Sequence, residues 1–336
     1  MRAPDALHRF IGPLALIHEE AGPRLLRLTQ WGIFALWIAK LLLDPLWRLA
    51  AMPRDMLRPV GVLGLLPPAG LDALFTPAGL ATLLVTTLLV LVACLTGRAF
   101  PLFATLAAVL LTVYSSVIRS FGPAVHTDIV LLLATYALAS FAWADALAPG
   151  APRRASYPLV TIVALLCLAY TLVGLNRAVA GGIRVFTGDS MEAWAVDASL
   201  RGYFFNTNIG WHVPDWPVVL FLLRAGLPAI TVFEIVAPLC LASPHFRRVF
   251  IPVMLSFHGL SLVFMNIFFF DDMLLYLLLV DWSRRFPALR AAETPPASAL
   301  NRLVARRGLL RRGSVQFTRF ARAGTSRRRG ARTERA

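Results

Sequence analysis

Long apolar runs recur along the chain, and their length constrains the fold more than any other feature. A helix needs about 20 mostly apolar residues to cross the hydrocarbon core of a bilayer. Seven stretches meet or nearly meet that length: Leu28–Trp47, Ala78–Thr96, Phe100–Val117, Val125–Asp145, Tyr157–Arg177, Trp216–Leu241 and Val249–Asn266. An eighth, Met273–Trp282, is short, and crosses only if it extends through Phe268–Phe270, tilts or is sheltered by its neighbours. The runs are continuous rather than alternating, which argues against a β-barrel. Composition points the same way. Hydrophobic residues make up 58% of the chain and charged residues only 15%, against about a quarter charged in a soluble domain. Such a chain leaves large apolar faces in water unless lipid covers them. The expected fold is all-α, a polytopic helical bundle of about eight transmembrane helices in the cell membrane.

Charge sets the expected orientation. The net charge is +15, and residues 283–336 carry +13 of it, with fifteen arginines against Glu293 and Glu334. Arg98, the pair Arg153–Arg154 and the pair Arg247–Arg248 follow the second, fourth and sixth spans. With a cytoplasmic N-terminus and eight spans, all three loops and the arginine tail fall on the cytoplasmic side, as the positive-inside rule requires. Both termini are then cytoplasmic. Residues 1–27 read as an interfacial amphipathic segment, because no small-residue cleavage site follows Phe10–Ile17. Residues 28–285 form the membrane domain, with an outer loop over 178–215. Residues 286–336 form a disordered basic tail whose default partner is anionic inner-leaflet lipid. Few aromatic residues, Phe286, Phe317 and Phe320, stand among these arginines as stacking platforms, so specific nucleic-acid binding is not indicated.

Soluble-enzyme motifs are lacking. There is no Walker loop, no G-x-S-x-G elbow and no H-x-x-x-H or H-x-x-E-H metal pair. His212 and His245 fall in loops on opposite sides of the membrane, so no metal site is expected. Cys94, Cys167 and Cys240 each lie inside an apolar run and read as buried small hydrophobes.

Ionisable groups at membrane depth are costly, so each needs a partner or a task. Lys40, the only lysine in the chain, precedes Asp44 by one helical turn. The pair reads as self-neutralised, with a proton-relay or counterion lysine as the functional alternative. His126 and Asp128 begin the fourth span at the outer face, and Arg177 ends the fifth there. Arg224 lies about two turns into the sixth span. Glu234 is deeper on the same span, His258 is central in the seventh, and Asn266 lies toward its outer end. Helical rise puts Glu234 and His258 within about a turn of each other in depth, so a Glu–His hydrogen bond is expected if their helices are neighbours.

Several short motifs carry a family resemblance. They are Tyr170-Thr-Leu-Val-Gly174-Leu-Asn176-Arg177, then Gly188-Asp-Ser-Met-Glu192-Ala-Trp194, Phe233-Glu234 through Pro238, Ser256-Phe257-His258 with Phe268–Phe270, and the His126-Thr-Asp-Ile start of the fourth span. Their order over about residues 28–285 resembles the horizontally transferred transmembrane (HTTM) domain, the membrane part shared with vitamin K-dependent gamma-carboxylase. The resemblance implies a base that deprotonates a quinol and a histidine that assists. His126 matches that histidine. The family's lysine falls on Arg177, or on Asn176 with a one-residue shift. Arginine stays protonated above pH ~12 and cannot take that proton. The arginine tail, where the carboxylase has its large lumenal domain, is not expected to bind a protein substrate in that way. The resemblance therefore implies an HTTM-type membrane protein with an outer-facing pocket for a quinone-like or lipid ligand, without true protein gamma-carboxylation. His126, Arg177 and His258 are the candidate catalytic residues, and Asn176, Glu234 and Asn266 the candidate ligand-binding ones. Two alternatives stand beside it. One is a non-catalytic accessory or maturation subunit for an exported peptide or another membrane protein. The other is a transporter, against which the chain shows no inverted repeat.

Overall fold

The computed structural model describes residues 16–43, 46–121, 127–148, 155–182, 184, 190–201, 209–265, 267 and 269–290. His126, Asn266, Asp44, Arg153–Arg154 and the arginine tail beyond Arg290 lie outside the described residues. The fold is an all-α bundle with no strand among the described residues. Seven helices are long and apolar enough to cross a membrane. They are α1 (Pro23–Leu43), α2 (Pro77–Thr96), α3 (Phe100–Arg119), α4 (Thr127–Leu147), α5 (Ser156–Gly181), α7 (Pro217–Ile235) and α8 (Pro244–Met265). Between α5 and α7 the connecting segment holds a further helix, α6 (Ser190–Arg201).

Local sequence explains the helix ends. Thr76 caps α2 by accepting a hydrogen bond from Gly79 N–H at 2.9 Å, and Pro77 occupies the first turn, where its missing N–H costs nothing. Gly97, at φ 73°, closes the same helix in the left-handed conformation that L-residues avoid. On α3, Ala104, Ala107, Ala108 and Leu111 are all buried. Small residues at this helical spacing let the flanking α2 and α4 approach closely. Trp37 of α1 is buried at the centre, where its indole N–H donates to Thr135 Oγ1 of α4 at 3.0 Å and its ring meets Tyr114 edge-on. The buried polar end of the indole is thereby satisfied. Large apolar side chains such as Val85, Leu89 and Val92 of α2, and Leu168 and Leu172 of α5, point outward. A helix apolar on both faces suits a lipid surround.

The eighth pass is a broken segment, not one long helix. It comprises α9 (Phe270–Leu275), a 3-10 turn over Tyr276–Leu279 and a last short helix at Trp282–Arg285. Its first ten residues rise only about 17 Å, well short of a hydrocarbon core of about 30 Å. Neighbours shelter it: Asp271, Leu275, Tyr276 and Leu279 are all buried. The chain nevertheless returns to its starting end. Asp271 meets Lys40, near the far end of α1, whereas Gly22 N–H donates to Leu289 O at 2.8 Å and Ala21 bridges Arg290. Residues 21 and 290 therefore lie at the same end of the bundle, as an even number of crossings demands.

Three local expectations change. α5 continues past Arg177 to Gly181, so Arg177 sits within the helix and not at its tip. The sixth span stops at Ile235, and the chain turns through Pro238 before Leu239–Ala242. Arg247 is a buried residue of the first turns of α8, donating to Cys240 O at 2.6 Å, and only its neighbour Arg248 is exposed as a loop arginine should be.

Candidate functional site

The polar groups of the interior gather where α5, α7, α8 and the eighth pass meet. Gly174 makes the junction. A Cβ there would stand 2.9 Å from Glu234 Cβ and 3.0 Å from the Ile235 nitrogen. Only a glycine lets the α5 and α7 backbones come this close. One turn on, Arg177 lies over Glu234. Its Nη1 donates to Oε2 at 2.6 Å and its Nη2 to Oε1 at 3.3 Å, a two-point fork. Nη1 also reaches Thr231 Oγ1 at 3.4 Å. Glu234 is buried, and the guanidinium matches its charge.

One turn before Gly174, Tyr170 enters a second cluster. Its hydroxyl lies 2.5 Å from that of Tyr276, and His258 Nε2 lies 2.7 Å from Tyr276 Oη and 3.3 Å from Tyr170 Oη. Phe250 and Phe269 pack against the group, with Phe269 4.8 Å from the imidazole centroid. His258 Nδ1 is buried and makes no hydrogen bond. Two hydroxyls and one ring nitrogen form a compact unit able to pass a proton or to bind a carbonyl.

A third cluster faces α1. Lys40 Nζ lies 3.3 Å from Asp271 Oδ2 and 5.6 Å from the Phe270 ring centroid. On the neighbouring α4, Asp128 binds Arg119 and Ser115.

An apolar cleft of about 410 Å³ opens between α7 and α8. Leu222, Gly226 and Ile230 line one wall, and Phe257, Leu260 and Ser261 the other. Its outward side chains Leu222 and Leu260 are exposed, so the cleft opens onto the face that lipid would cover.

The sequence candidates distribute as follows. Arg177 and Glu234 bind each other. His258 takes two tyrosines as its partners, and the expected Glu234–His258 bond is not formed. Asn176 is exposed on the outward face of α5. His126 and Asn266 lie outside the described residues. Arg224 pairs with Glu192 of α6 at 2.5 Å, which ties α7 to the outer loop. Sequence reasoning missed Tyr276, Asp271 and Asp272. The available signal was the Asp271–Asp272 pair, two acids inside an otherwise apolar return segment. Among the described residues no group of three His, Cys, Asp or Glu side chains could hold a metal ion.

Comparisons of the chain with protein-family models, with curated proteins and with solved structures find no match.

Proposed function

We propose that this multi-pass membrane protein is of HTTM type and takes a quinone-like or lipid ligand by its apolar chain, with the ligand's polar head near the Tyr170–Tyr276–His258 cluster. One observation carries the reading. Motifs far apart in sequence that suggested the family meet at one place: Gly174 and Arg177 on Glu234, and Tyr170 on His258. The cleft between α7 and α8 supports the ligand class. It is apolar and lipid-facing, and eight of its lining residues, Phe257 and Ser261 among them, lie on the same helix as His258. Apolar pockets with a few clustered polar groups suit a prenyl or acyl chain with a small polar head.

Arg177 has a different role from the lysine it replaces. Its guanidinium is committed to Glu234, so the pair is an internally neutralised strut and supplies no base. Binding without protein gamma-carboxylation follows.

The test is ligand binding by the full chain in detergent, with a prenylated naphthoquinone as probe. Gly226 lines the cleft, and no atom lies within 4 Å of a Cβ built there. Gly226→Phe should fill the cleft without disturbing the bundle. The unmodified protein should gain thermal stability with the quinone and Gly226→Phe should not. Equal gains in both would refute the cleft as the binding place.

A further inference from the structure

The aspartates of α9 stand apart from the groups used above. Asp271 is fully buried, and its carboxylate oxygens meet no hydrogen-bonding group beyond the Lys40 ammonium and its own backbone N–H. Lys40 Nζ lies 3.3 Å away, as an ion contact. Asp272, next in sequence, is only 9% exposed. It has no hydrogen bond or ion pair of its side chain among the described residues, yet lies within electrostatic range of Lys40, Asp271 and Asp128. Both tyrosines of the His258 cluster are also within range of Asp272.

Among the described residues, charge does not balance here. Asp128, on α4, is matched by Arg119 of α3. That leaves two adjacent buried carboxylates facing one ammonium. The ring of Phe270 lies beneath the ammonium and supplies no full charge. Glu234 of α7, in range of the same tyrosines, is matched by Arg177. Two carboxylates in one dry site oppose each other's ionisation, which favours a proton on one of them. The described residues offer no cluster for a metal ion in place of that proton.

We propose that Asp271 and Asp272 form an intramembrane proton-binding site, with Lys40 balancing one carboxylate and Asp272 carrying the exchangeable proton. Tyr276 follows Asp272 by four residues on the same pass, and its hydroxyl continues to Tyr170 and His258. The proton site therefore adjoins a line of hydrogen-bonding groups that runs from the α1 side of the bundle to α8. This proposal is independent of the quinone reading and requires no bound ligand.

Dicyclohexylcarbodiimide modifies protonated carboxyls in apolar surroundings. The full chain, reconstituted in lipid vesicles, is treated with it at near-neutral and at alkaline pH, and adducts are located by peptide mass spectrometry. Adducts are expected at Asp272 near neutral pH, falling by about tenfold for each pH unit once the site has deprotonated. Asp272→Asn should abolish them, with Asp271→Asn reducing but not eliminating labelling. Infrared difference spectra of the unmodified protein supply a second readout that needs no variant, because a protonated-carboxyl C=O band should vanish at alkaline pH. Labelling of neither aspartate, labelling that ignores pH, or the absence of that band would each overturn the proposal.

Discussion

Arg177 and Glu234 join α5 to α7 through two hydrogen bonds of one guanidinium to one carboxylate, at 2.6 and 3.3 Å, beside a glycine that lets the helices touch. Each residue alone would be a charge buried without compensation. Together they form a neutral unit whose worth lies in its completeness.

Removing one partner should therefore cost far more than removing both. Glu234→Leu strands the guanidinium and should destabilise by about 3–5 kcal/mol, whereas Arg177→Met with Glu234→Leu should recover much of that loss. Glu234→Gln keeps an acceptor and should lie between. Melting temperatures of the unmodified protein, Glu234→Leu, Arg177→Met and the double variant in one detergent close the double-mutant cycle. Additive losses would mean the two residues do not act as a pair.

Gly174→Ala should be harmful although it places a good helix former in a helix. The new Cβ would meet Glu234 Cβ at 2.9 Å and the Ile235 nitrogen at 3.0 Å, and backbone cannot move aside cheaply. Overpacking of this kind costs about 1–3 kcal/mol. Gly226→Ala, open at its Cβ, is the control and should be neutral or stabilising. A drop in melting temperature for Gly226→Ala equal to that for Gly174→Ala would contradict the close-approach account.

His18 gives the fold a dependence on acid. It is buried at the end of the bundle before α1, with Nε2 2.8 Å from Leu278 O. Burial lowers its pKa below the ordinary histidine value, and the Leu278 carbonyl and Asp281 oppose that shift without overcoming it. The folded chain thus prefers neutral His18. Its contribution is fully present above the unfolded pKa of about 6.5 and is lost as pH falls toward the lower folded value. Melting temperature should drop between about pH 7.5 and pH 5.5, and His18→Gln should flatten that slope. An unchanged slope in the variant would assign the acid sensitivity to other groups.

Much of the fold was legible because helix length and apolarity are local properties. The seven long helices fall close to the sequence boundaries, and Glu234 and His258 were recognised as interior. Their partners were not legible. Helical rise fixes depth and so placed Glu234 near His258, but azimuth decides which neighbour a side chain meets, and α5 supplies both Arg177 and Tyr170. The eighth pass was legible as a short segment, but its true start and its charged contact were not. Its start was drawn at Met273 because Asp271 and Asp272 break the apolar run, and their ammonium partner lies on α1, more than two hundred residues earlier. Arg247 misled in the same way, since a basic pair in sequence does not reveal that one member folds inward to a carbonyl.

By the positive-inside rule, the end of the bundle that carries Arg98 is expected to face the cytoplasm. Arg98 joins α2 to α3 at the end shared with residues 21 and 290, and Asp197 is exposed on α6 in the outer loop. In whole cells, Asp197→Cys should react with an impermeant maleimide from outside. Arg98→Cys should react only after permeabilisation. Both sites labelled from the same side would break the eight-pass topology.

The place of the ligand is tested most directly by photo-crosslinking in the native membrane with a naphthoquinone whose prenyl chain carries a diazirine. Mass spectrometry of the peptides should find adducts concentrated on residues 222–230 of α7 and 252–265 of α8, the two walls of the cleft, and excess unlabelled quinone should displace them. Adducts spread evenly over lipid-facing positions such as Leu89 and Leu172, with no competition by unlabelled quinone, would contradict a bound ligand there.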